Sequence, residues 1–162
     1  MSSFKNWSEF HQRLNLIFHA IVAITMLPFV WLYLEIDSGN RSGLISDSVV
    51  TVLFVIISLS LASTAYLYRK KQLSETLTRP SLRSKLEAYM KLQIVSYALL
   101  EGSALFSTIA FYLTANYLFV VIYVAVLFVF SLFRPQLDRT CRELKLNSEE
   151  RNLLVDRTDI PE

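Results

Sequence analysis

The sequence predicts an all-α polytopic membrane protein: four transmembrane helices in a bundle, with short amphipathic cytoplasmic segments. Three observations carry this reading. The chain is 53% hydrophobic and only 19% charged over 162 residues, and its apolar residues gather in four runs, 14–34, 49–68, 92–113 and 117–133. Tyrosines aside, those runs hold two ionisable side chains, His19 and Glu101. Basic residues alternate sides: if each run crosses once, fifteen of the sixteen lysines and arginines fall on one side. A helix rises ~1.5 Å per residue and the hydrocarbon core is ~30 Å thick, so the first three runs are long enough to span. The fourth is short and needs Ala115 and Asn116 to extend it through a tight turn.

Positively charged loops resist translocation, so the basic side is cytoplasmic. Lys5 and Arg13 precede the first helix. Arg69, Lys70, Lys71, Arg79, Arg83, Lys85 and Lys91 lie between the second and third, and Arg134, Arg139, Arg142, Lys145, Arg151 and Arg157 follow the fourth. The other side has only Arg41. Both termini are therefore expected in the cytoplasm, with one membrane domain over 1–162 (helices about 14–34, 49–68, 81–113 and 116–133) and a cytoplasmic tail over 134–162. The same bias argues against the small four-helix exporters that insert in both orientations. The first run is too long for a signal-peptide core and lacks a small-residue cleavage site, so a retained helix is expected.

In "FKNWSEFHQRL", Phe4, Trp7, Phe10 and Leu14 form a stripe that predicts a short amphipathic helix lying on the cytoplasmic interface. Pro28 removes a hydrogen bond from the first helix and predicts a kink. The first outer loop, 35–43, with Glu35, Asp37 and nearby Asp47, is expected to be a solvated connection. In "SETLTRPSLRSKLEAYMK" Pro80 suits a first helical turn, so the third helix is expected to begin near Ser81. Arg69, Lys70, Lys71, Arg83, Lys85 and Lys91 carry the topology signal and could hold anionic lipid headgroups at ~1 kcal/mol each. After the fourth helix, Leu137, Cys141 and Leu144 predict a short amphipathic helix. Asn147 and Glu150 have the spacing of a capping box, and the last residues read as a loose tail.

Several chemistries are excluded. One cysteine allows no internal disulfide, thiol redox pair or CxxC metal site, and a free thiol suits a reducing compartment. A net charge of +2 does not point to nucleic acid. No phosphate-binding glycine loop, HExxH or GxSxG motif is present. His11 and His19 share one helical segment and cannot ligate a haem between them. No cofactor, metal or enzymatic activity is expected.

Glu101 remains. If the third helix enters near Lys91, Glu101 lies at ~15 Å depth, close to the bilayer midplane. An acid there costs ~2.5–3.5 kcal/mol on insertion scales, so it is expected either neutral and donating a hydrogen bond or paired inside the bundle. At 100° per residue Tyr97, Thr108 and Tyr112 fall on its side of the helix, and His19 is offset by only ~6 Å along the membrane normal. Glu101, Tyr97, Thr108, Tyr112 and His19 thus form the candidate intramembrane polar site, with Ser60, Ser63 and Thr64 as alternative partners. Ser96, Ser103 and Ser107 make a second, small line, and Ala98 with Gly102 would admit a close neighbouring backbone.

The stretch "YALLEGSALFSTIAFYLT" resembles the ion-binding helix of rotary ATPase proteolipid subunits over one helix. The chain has three glycines in all, too few for that family's glycine-dense partner helix, so the ion-binding role is not carried over. Residues 85–91, "ALLEGSALF" (98–106), "RP" (134–135) and "LNSEE" (146–150) resemble small four-span bacterial membrane proteins of no assigned function. That likeness, over the C-terminal half, implies a multi-pass protein of the bacterial cytoplasmic (inner) membrane and no activity. The expected partners are the lipid bilayer, anionic headgroups and a homo-oligomer or larger membrane complex. The expected role is a structural or accessory subunit or scaffold, with a proton- or ion-coupled transporter or channel component using Glu101 as the alternative.

Overall fold

The computed structural model describes residues 4–39, 42–45, 48–156 and 158–160. Arg41, Asp47 and Arg157, used above, lie outside them. Six helices follow one another: α1 (Trp7–Asp37), α2 (Ser48–Leu77), α3 (Leu82–Thr114), α4 (Leu118–Leu132), α5 (Leu137–Glu143) and α6 (Ser148–Val155). No strand occurs among the described residues.

α1, α2 and α3 are each long and apolar enough to cross a membrane. α4, at 15 residues, reaches that standard only together with α5, across an 80° bend. Large apolar side chains remain outside the bundle, among them Leu16, Leu27, Leu67, Val121 and Phe128. A soluble monomer rarely exposes so much apolar surface in one belt, and a bilayer would cover it. Length, composition and surface are those of a helical membrane protein.

α1, α2 and α3 outrun the apolar runs that predicted them, whereas α4 is shorter than the expected 116–133, because Ala115, Asn116 and Tyr117 form the turn from α3 and Phe133 closes the helix. α1 starts seven residues before position 14 because the Phe4, Trp7, Phe10, Leu14 stripe continues in helical register into Phe18. Asn6 caps this start by accepting the Glu9 N–H at 3.1 Å. The stripe is not spread on an interface as expected: all four residues are buried in the protein's own core. α2 extends to Leu77 through its basic segment, since nothing between 69 and 77 breaks a helix. α3 begins at Leu82, one residue later than expected. Ser81, whose hydroxyl accepts the Ser84 N–H, supplies the cap, and Pro80 stands outside the helix rather than in its first turn. The expected capping box of Asn147 and Glu150 opens α6.

α3 is the centre. It packs against α1, α2 and α4, and half of its apolar window is buried, against 22% for α1 and 11% for α2. α2 touches it along a narrow seam, Ser58, Ala65, Arg69 and Thr76, spaced by seven, four and seven. Such spacing keeps one edge of a helix against one neighbour. α4 buries Phe119, Ile122, Tyr123, Val126 and Phe130 and leaves its other face outward, so it is not purely an outer helix. Stacked rings at 3.7 Å, Phe29 and Tyr123, join α1 to α4.

The loop before α2 does not stand free in solvent. Leu44 and Ile45 both donate to the Leu113 carbonyl, which the end of α3 leaves unpaired. A β-carbon on Gly43 would stand 2.5 Å from the Thr114 carbonyl group, so only glycine permits this approach. The tail is likewise held: Leu154 and Ile160 are buried, and the Ile160 N–H donates to the Lys5 carbonyl at 2.9 Å.

Candidate functional site

The line predicted on α3 separates into two environments. Tyr97 is buried and turns to α4, where its hydroxyl donates to the Phe133 carbonyl at 2.8 Å. Thr108 is buried and donates to the Ala104 carbonyl of its own helix at 2.9 Å. Tyr112 is half-buried. Glu101 is half-buried at the edge of the core and makes no hydrogen bond or ion pair with any described residue. His19 is exposed on α1, edge-on to Phe18, and nothing joins it to Glu101. Ser60, Ser63 and Thr64 are exposed on α2, with Thr64 donating to the Ser60 carbonyl. Tyr97 and Thr108 bond elsewhere, and neither Glu101 nor His19 bonds to another of the predicted residues.

The serine line is what meets α2. Ser103 donates to the Ser58 carbonyl at 2.7 Å, and Ser107 lies 3.3 Å from the Ser58 hydroxyl. Small side chains let the two backbones come close, and the hydroxyls pair there without water. Ala98 and Gly102 behave oppositely. Ala98 is exposed, and a β-carbon on Gly102 would meet nothing within 4 Å. Val95, Ala98, Gly102 and Ile109 therefore form an open strip along α3, with Glu101 at its margin.

A second polar centre lies where the C-terminal part of α2 meets the N-terminal part of α3. Arg69 is 5% exposed. Its guanidinium donates to the Gln93 side-chain oxygen at 2.6 Å and to Glu143 Oε2 at 2.5 Å. Tyr89 donates to the same carboxylate oxygen at 2.8 Å and accepts from the Gln93 amide at 2.7 Å. Arg139 donates Nε to Glu143 Oε1 at 2.7 Å, so both carboxylate oxygens are engaged. The Phe133 ring lies 4.7 Å from the Arg69 guanidinium and 5.6 Å from that of Arg139, adding cation–π attraction to both. Burial first, and then the Glu143 carboxylate, push the Tyr89 phenol above its ordinary value. A buried, paired charge of this kind fixes geometry more than it adds stability.

Sequence reasoning singled out Arg69 only as the first of three basic residues. Lys70 and Lys71 are exposed, as are Lys91 and the Arg79 before α3. Lys85 instead pairs with Glu150 at 2.8 Å, and Arg83 donates to the Phe4 carbonyl at 2.9 Å. The one available clue was spacing: Arg69 continues the seven-and-four seam of Ser58 and Ala65. Among the described residues no three His, Cys, Asp or Glu side chains gather closely enough to hold a metal ion.

Comparisons of the chain with protein-family models, with characterised proteins and with solved structures find no match.

Proposed function

We propose that this chain is a four-span membrane protein, termini in the cytoplasm, that serves as a structural or accessory subunit of a larger membrane assembly. The observation that carries the reading is Glu101. A carboxyl expected near mid-membrane, unpartnered among the described residues, beside an open strip of Ala98 and Gly102, calls for a hydrogen-bonding neighbour from another helix. A second copy of this chain or a different subunit would provide it. The strong basic bias and the resemblance of the C-terminal half to small bacterial four-span proteins favour a bacterial cytoplasmic membrane as the setting.

Pull-down in mild detergent tests this directly. Glu101→Gln keeps a hydrogen-bonding side chain and should retain the assembly. Glu101→Leu should weaken association about fivefold, the equivalent of ~1 kcal/mol for one interhelical hydrogen bond. Gly102→Leu should block it by filling the strip. An assembly indifferent to both leucine variants would defeat the proposal. Loss of a proton-driven flux in Glu101→Gln vesicles, with assembly intact, would install the coupled transporter or channel component in its place.

A further inference from the structure

The bend between α4 and α5 borders an open cavity of about 480 Å³, lined by Ser131, Arg134, Gln136, Arg139, Arg142 and Glu143. Its charge is unbalanced. Among the described residues Glu143 is the only carboxylate lining it, and both of its oxygens are occupied, one by buried Arg69 and Tyr89, the other by Arg139 Nε. Arg69 already offsets that negative charge from outside the cavity. Arg139 keeps its two terminal nitrogens unbonded, and Arg134 and Arg142, both exposed, make no ion pair among the described residues. Asp138, which could have neutralised one of them, pairs with Arg151 at 3.2 Å.

We propose that this corner binds a phosphate group, carried by an anionic lipid headgroup. Three guanidiniums around one cavity match the chemistry of a phosphate, whose oxygens accept paired N–H donors from each arginine fork. Ser131 and Gln136 add neutral hydrogen-bonding groups. The 80° bend turns α5 across the end of α4, so the cavity opens beside Leu132, the last residue of that helix. If α4 crosses the bilayer, this is the level of the lipid phosphates, and the inference rests on that reading. The Arg69–Glu143 pair fixes α5 in position, so the site is held before the ligand arrives.

The full-length chain, reconstituted in phosphatidylcholine vesicles with and without phosphatidylglycerol, provides the test, with bound lipid read by native mass spectrometry. The wild type should prefer phosphatidylglycerol. Arg134→Gln combined with Arg142→Gln should reduce that preference about 30-fold, some fivefold for each guanidinium. Lys5→Gln with Arg79→Gln, exposed and outside the cavity, should leave it unchanged. Equal losses in the two double variants, or no preference in the wild type, would overturn the site. Inorganic phosphate that competes with phosphatidylglycerol supports the shared phosphate chemistry. Phosphate binding without lipid preference would overturn the lipid source. Vesicles that float free of protein in both compositions would remove the membrane reading itself, and the lipid site with it.

Discussion

The Tyr89 hydroxyl stands between two partners, donating to Glu143 and accepting from Gln93, with Arg69 at 3.5 Å. Its pKa is raised above the ordinary 10.0 by burial and then by Glu143. A phenol raised in the folded state keeps its proton where the unfolded chain has lost it. The contribution is therefore complete below about pH 10 and is lost as pH climbs toward and through the folded value. Thermal unfolding in detergent should fall more steeply above about pH 10 in the wild type than in Tyr89→Phe. Parallel pH profiles would refute the linkage. None of this was readable from the residues in order. Arg69 lies 20 positions from Tyr89, 24 from Gln93 and 74 from Glu143, and in the sequence it is one of three adjacent cations. Glu101, by contrast, was visible because a carboxyl inside an apolar run is conspicuous without any partner.

Helix ends show the same division at the next scale. The capping box of α6 and the serine cap of α3 depend on residues three apart, and the first was legible as a pattern. The end of α3 was not. Ala115 adopts φ 49°, a left-handed conformation that closes the helix by returning its N–H to the Phe111 carbonyl. Lys145 does the same after α5, where the Leu146 N–H reaches back to the Cys141 carbonyl. A β-carbon in this region costs ~1 kcal/mol or more, which glycine avoids. Ala115→Gly should accordingly stabilise the fold by about 1 kcal/mol, seen as a higher midpoint in denaturant with the same helical content. An unchanged or lower midpoint would show that the strain is relieved elsewhere. The bounds of α1 and α2 moved outward for a related reason. Hydropathy marks where a helix can meet lipid, whereas backbone hydrogen bonding continues as long as no residue interrupts it.

Across the whole molecule, the long apolar helices and the short elements α5 and α6 form one body. Arg69 of α2, Tyr89 and Gln93 of α3 and Glu143 of α5 meet at one point, and Lys85 to Glu150 ties α3 to α6. Buried side chains from Phe4 to Ile160 belong to one continuous core. Removing Glu143 strands the Arg69 charge beneath α5. Glu143→Ala should therefore cost about 3 kcal/mol, while also loosening α5, measured as faster amide exchange over Leu137–Glu143. A variant as stable as the wild type, with α5 still protected, would show that apolar packing alone holds α5 and α6 to the bundle.

The sequence by itself determined the helical class, the existence of long apolar helices and the one carboxyl in an apolar run. Each of these is a property of consecutive residues or of a short periodic pattern. Tertiary structure alone decided that the N-terminal aromatic stripe is core, that the serine line meets Ser58, that Ala98 and Gly102 face outward, and that Arg69 is buried. Such facts depend on which helix stands beside which and at what rotation. Helices with apolar residues on all sides leave rotation undetermined by hydropathy, and only packing against α3 settles it.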